Sequence, residues 1–90
     1  MGLLDGRVAL VTAGAGAGIG QATARRFLQE GATVVLTDAH ARRVQEVAQA
    51  LSSEFGREVI GRQLDVTNEE QVQDVVAATL DKYGRIDVLF

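Results

Sequence analysis

The chain has 90 residues, of which 47% are hydrophobic and 23% charged; this excludes disorder and collagen-like repeats and leaves room for one domain, residues 1–90. Its net charge of -3 is the wrong sign for neutralising phosphates, so no nucleic-acid partner is expected. Zero Cys excludes disulfides, thiolate nucleophiles and Cys-based zinc sites, and the single His40 cannot assemble a His-rich metal site.

Arg7 to Thr12 is a short apolar, β-branched run entering a Gly-rich stretch, the pattern of a strand buried on both faces. From Gly18 the spacing becomes helical. Ile19, Ala22, Thr23 and Phe27 share one face, Arg25, Arg26 and Gln29 the other, and Gly31 stands where a left-handed terminator belongs. Thr33 to Thr37 repeats the strand signature and runs directly into Asp38. Val44, Val47, Ala48, Leu51 and Phe55 mark an amphipathic helix from about His40 to Phe55, closed by Gly56. Glu58 to Leu64 is a weaker strand, interrupted by Gly61 and charged as an edge strand should be. Thr67 and Glu70 have capping-box spacing, and Val72, Val75, Val76, Leu80 and Tyr83 line the helix that Gly84 stops. Ile86 to Phe90 is a fourth strand with nothing after it, so the chain reads as truncated. The alternation β-α-β-α-β-α-β with short links predicts a parallel sheet flanked by helices. No apolar run approaches the roughly 18 residues of a membrane span, and the start lacks a basic segment followed by an apolar one; a cytoplasmic protein without a membrane partner is expected.

Chemistry concentrates between the first strand and the first helix, in Thr12-Ala13-Gly14-Ala15-Gly16-Ala17-Gly18-Ile19-Gly20. G-x-G-x-x-G does not fit, and no Gly-Lys-Ser/Thr closes a nucleotide-triphosphate loop; the wider G-x-x-x-G-x-G fits Gly14, Gly18 and Gly20. Such glycines let backbone amides approach a pyrophosphate, helped by the positive end of the helix dipole. The bland alternative is a tight turn with close helix–strand packing. Asp38 lies eighteen residues beyond Gly20, close to the spacing at which an acid receives a ribose 2′-hydroxyl, although it equally suits a cap of the second helix. Asp65 and Val66 would border an adenine, Asp65 being as easily a turn or capping acid.

Taken together, Leu4-Asp5-Gly6-Arg7-Val8-Ala9-Leu10-Val11-Thr12, Gly18-Ile19-Gly20, Glu30-Gly31-Ala32, Leu64-Asp65-Val66-Thr67 and Gly84-Arg85-Ile86-Asp87-Val88-Leu89 resemble the N-terminal part of a short-chain dehydrogenase/reductase along essentially the whole chain. Ala13, between Thr12 and Gly14, departs from that family's usual T-G-x-x-x-G-x-G. The resemblance implies an α/β Rossmann-type three-layer sandwich, a truncated sheet of order 3-2-1-4 with three helices. It also implies a secondary alcohol/ketone oxidoreductase in the complete protein, acting on a small-molecule substrate. Gly14, Gly18, Ile19 and Gly20 would line the pyrophosphate and nicotinamide side, Asp38 the adenosine ribose, and Asp65 and Val66 the adenine. An acid at Asp38 favours NAD over NADP by repelling a 2′-phosphate; the counter-reading brings Arg42 or Arg43 to that phosphate. The family's Asn-x-Ala-Gly, Ser and Tyr-x-x-x-Lys are not among these residues, so no catalytic residue is assigned, and Tyr83 is read as packing. The second functional reading is a non-catalytic nucleotide-binding or interaction module. Either way, the apolar fourth strand at a sheet edge predicts a homo-oligomer.

Overall fold

The computed structural model describes residues 2–12 and 18–90. Its elements run β1 (Val8–Val11), α1 (Ile19–Gln29), β2 (Thr33–Asp38), α2 (Ala41–Phe55), β3 (Ile60–Gln63), α3 (Glu69–Tyr83) and β4 (Val88–Leu89). All pairings are parallel, and the order across the sheet is β3-β2-β1-β4, as the resemblance implied. β1 and β2 are central and carry the most apolar, β-branched sequence, because both their faces are covered.

Alternation along the strands divides the core in two. Ala9, Val11, Val34 and Leu36 pack with Ala24 and Leu28 of α1 and with Val44, Ala48 and Leu51 of α2. Leu10 and Val35 point the other way and meet Leu64 and Val75, with Val72, Val76 and Tyr83 of α3 alongside. Two helices therefore cover one face and a single helix the other, giving three layers.

Local details correct several sequence expectations. In α1 the buried residues are Ala24 and Leu28, whereas Ile19 and Ala22 face outward; the inward stripe is rotated from the one that Ile19, Ala22, Thr23 and Phe27 define. In α3 the buried pair is Val75 and Thr79, and Leu80 is exposed. Thr79 tolerates burial because its Oγ1 donates to the Val75 carbonyl at 2.8 Å. The cap of α3 is Asn68 and not Thr67: Asn68 Oδ1 accepts from the Gln71 amide at 3.1 Å. Thr67 is already engaged, its amide and Oγ1 both donating to Asp65 Oδ1 at 2.9 and 2.6 Å. β3 begins only at Ile60, and β4 is reduced to two residues.

Gly61 is more than an interruption of an edge strand. A Cβ there would stand 2.7 Å from the Val44 carbonyl oxygen and 2.8 Å from the Ala48 Cβ, so the missing side chain is what lets α2 lie against β3. Gln45 then covers the strand's edge, its Nε2 donating to the Gly61 carbonyl at 2.6 Å. At the far end of α1, Gly31 adopts φ +94 beneath the carboxylate of Asp5, and Arg57 donates to the carbonyls of Leu28 and Ala32.

Candidate functional site

The parallel sheet delivers the ends of β1, β2, β3 and β4 to one edge, the position at which open α/β sheets bind ligands. Thr12 leaves β1, Asp38 closes β2, and Asp65 and Val66 follow β3. Asp38 pairs with Gln63 across the sheet, and its carbonyl accepts from the Leu64 amide at 2.8 Å, which draws the exits of β2 and β3 together. Thr12 is tied to β4 twice: its amide and its Oγ1 donate to the Phe90 carbonyl at 2.7 and 2.8 Å.

Gly14 and Ala13 lie outside the described residues. Gly18 is the N-cap of α1, with φ -104 and ψ -149, and among the described residues nothing stands within 4 Å of where its Cβ would be. Packing against the described residues therefore gives no reason for glycine there. The tight-packing alternative finds no support at Gly18. Gly20 lies in the first turn of α1, and Ile19, which opens the helix, is 77% exposed.

The three helices begin differently. His40 Nδ1 caps α2 and Asn68 caps α3, where Glu69 and Glu70 add negative charge in the first turn. Among the described residues, α1 has neither a side-chain cap nor an acid in its first turn. Its amides and the positive end of its dipole are thus left for an anion from elsewhere.

Asp38 does not cap α2, as its alternative reading required. Its Oδ1 accepts from the His40 amide at 2.9 Å, and the cap itself belongs to His40, whose Nδ1 accepts from the Arg43 amide at 3.1 Å. Arg42 extends into solvent and pairs with Glu46 at 3.6 Å, one turn further along α2. Asp65 is a turn acid: the hydroxyl and amide of Thr67 hold its carboxyl below the usual range. Val66, 61% exposed, lines an apolar groove of about 290 Å³ with Leu10, Thr12, Val72, Leu89 and Phe90. Leu89 and Phe90 carried no site signal in the sequence, since their place beside Val66 depends on the strand order and not on spacing. Tyr83 packs against the smaller core and donates to Glu58 Oε1 at 3.0 Å; burial first, then that bond, push its hydroxyl up to about 12.

The family model described as short chain dehydrogenase matches residues 7–90. The chain belongs to the short chain dehydrogenase family. It is 51% identical over 88 residues to (5R,7aS)-5-hydroxy-7a-methyl-1-oxo-2,3,5,6,7,7a-hexahydro-1H-indene-carboxyl-CoA reductase of Mycobacterium tuberculosis, covering 98% of this chain and 34% of that one. Among solved members of the family, a short chain dehydrogenase from Mycobacterium smegmatis superposes with a TM-score of 0.91 at 49% identity, covering 99% of this chain and 37% of that one. An NAD+-bound xylitol dehydrogenase gives 0.89 at 35% identity, covering 98% and 33%. The chain thus spans about a third of the length of these relatives. Among the described residues, no helix is long and apolar enough to cross a membrane.

Proposed function

We propose that these residues form the dinucleotide-binding part of an NAD-dependent oxidoreductase that interconverts a secondary alcohol and a ketone. The observation that carries the reading is the start of α1, a glycine cap with, among the described residues, nothing within 4 Å of its would-be Cβ and no side chain serving the helix amides. Pyrophosphate suits such a helix start in charge. Gly18, Gly20 and Ile19 would lie against the pyrophosphate and the nicotinamide side, with Gly14 contributing from the loop before them. Asp38 would receive the ribose hydroxyls, and Val66, with Asp65 shaping its turn, would wall the adenine at the apolar groove. The NAD+-bound relative supports the cofactor class.

Preference for NAD over NADP follows from charge. A 2′-phosphate beside the Asp38 carboxylate is repelled, and after solvent screening the difference amounts to about ten-fold or more in affinity. The test is titration of the purified protein with NAD and with NADP, followed calorimetrically. NAD should bind more tightly, Asp38→Asn should lower that affinity and narrow the gap, and Gly18→Val should block both nucleotides. Equal binding of the two by the parent protein would overturn the assignment of Asp38. Binding that survives Gly18→Val unchanged would overturn the pyrophosphate site.

A further inference from the structure

The turn between β2 and α2 places one titratable ring between the proposed ribose acid and a helix end. The His40 amide donates to Asp38 Oδ1, and His40 Nδ1 accepts from the Arg43 amide. Nδ1 accepts only while it carries no proton, so the neutral ring, with its hydrogen on Nε2, is the capping form. We propose that His40 is a pH-operated cap: its protonation opens the first turn of α2, loosens the backbone bond that orients the Asp38 carboxylate, and weakens dinucleotide binding as the medium becomes acidic. This rests on the reading of Asp38 as the ribose acid.

The charged groups on the elements that meet at this turn are Asp38 at the end of β2, Arg42, Arg43 and Glu46 in the first turns of α2, and Arg62 of β3, which stands opposite Thr37. A protonated ring has no acceptor to offer the Arg43 amide, and at the capping position its new charge would meet the positive end of α2. It must turn away from the capping position. The turn has a second restraint that does not titrate, Gln63 Nε2 donating to the Ala39 carbonyl at 3.2 Å, so loss of the cap loosens the segment without releasing it from β3. His40 is therefore a positioning residue acting through Asp38.

His40 is the only histidine, so its ring protons give an unambiguous signal. The experiment follows the His40 ring and the Arg43 amide by NMR between about pH 8 and about pH 5, with calorimetric NAD titrations at both ends. The Arg43 amide should move with the ring at a common midpoint, and NAD affinity should fall by up to about five-fold at the acid end. His40→Asn supplies a cap that does not titrate and should remove that pH dependence. An Arg43 amide that ignores the ring, or an equal acid loss in His40→Asn, would overturn the proposal. NAD affinity unaffected by Asp38→Asn, with the Arg43 amide still tracking the ring, would instead overturn the ribose reading and with it the coupling to binding, leaving the cap itself standing.

Discussion

Asp87 and Val8 bind each other in both directions: the Asp87 amide donates to the Val8 carbonyl at 2.8 Å, and the Val8 amide donates to Asp87 Oδ2 at 2.8 Å. A two-residue strand is thereby extended at its entry by a side chain acting as backbone. Arg85 and Arg7 hold the other carboxylate oxygen at 2.6 and 3.5 Å.

The Arg85 guanidinium, and after it the Val8 amide, keep the Asp87 carboxyl below the usual range. A lowered folded value stabilises the native state above the ordinary carboxylate range, and that contribution is lost as pH falls below about 4. Urea melts at neutral and acid pH should show Asp87→Asn less stable than the parent at neutrality, with a shallower decline on the acid side. Glu58, held low by Tyr83 and Lys82, and Asp65, held low by Thr67, maintain the remaining slope. An unchanged acid limb in Asp87→Asn would show that the Asp87 carboxylate contributes nothing there.

Tyr83 produces the opposite dependence at the alkaline end. With its hydroxyl pushed up to about 12, the folded state retains a proton that the unfolded state releases near 10, so stability declines as pH rises past about 10. Because the chain has one Tyr and no Trp, tyrosinate absorbance reports this group alone. Tyr83→Phe should flatten the alkaline limb. An absorbance midpoint near 10 in the folded protein would contradict the half-buried, Glu58-bonded geometry.

Gly61→Ala tests the contact between α2 and β3. In an open strand this substitution stabilises slightly, whereas here the new methyl meets the Val44 backbone and the Ala48 Cβ, neither of which can swing aside. A loss of about 1–3 kcal/mol is expected in denaturant melts. A neutral or stabilising result would mean that the helix stands further from the strand.

Among the described residues β4 pairs with β1 alone, and its Leu89 is 70% exposed. An apolar sheet edge of this kind recruits further strands. Sedimentation of the 90-residue chain should show concentration-dependent self-association, reduced by Leu89→Lys. A monomer at high concentration would remove the expectation of an oligomer built on this edge.

The sheet was legible where composition and burial coincide. The runs around Val8–Val11 and Thr33–Asp38 are continuous and β-branched because both faces are covered, and the terminator glycines 31, 56 and 84 all have positive φ. Strand order came through family resemblance, since spacing alone does not decide which strands are neighbours. The errors arose where one local interaction displaced another. Asp65 captured Thr67, so the cap of α3 moved on to Asn68, and a hydroxyl bonded within its own helix let Thr79 replace Leu80 inside. At the site, the positions of Gly18, Asp38 and Val66 on one sheet edge follow from sequence periodicity. The capping role of His40 does not, because it depends on which ring nitrogen meets the Arg43 amide.

Arg57 gives α1 an electrical asymmetry. Its guanidinium lies on the Leu28 and Ala32 carbonyls at the helix's negative end, a fixed cation supplied from beyond α2. The guanidinium opposes the roughly half-negative charge at that end, where the carboxylates of Glu30 and Asp5 also gather, while among the described residues no side chain caps the Gly18 end. α1 is thus clamped at its Arg57 end, which fixes the helix axis and so the direction in which the Gly18 end points.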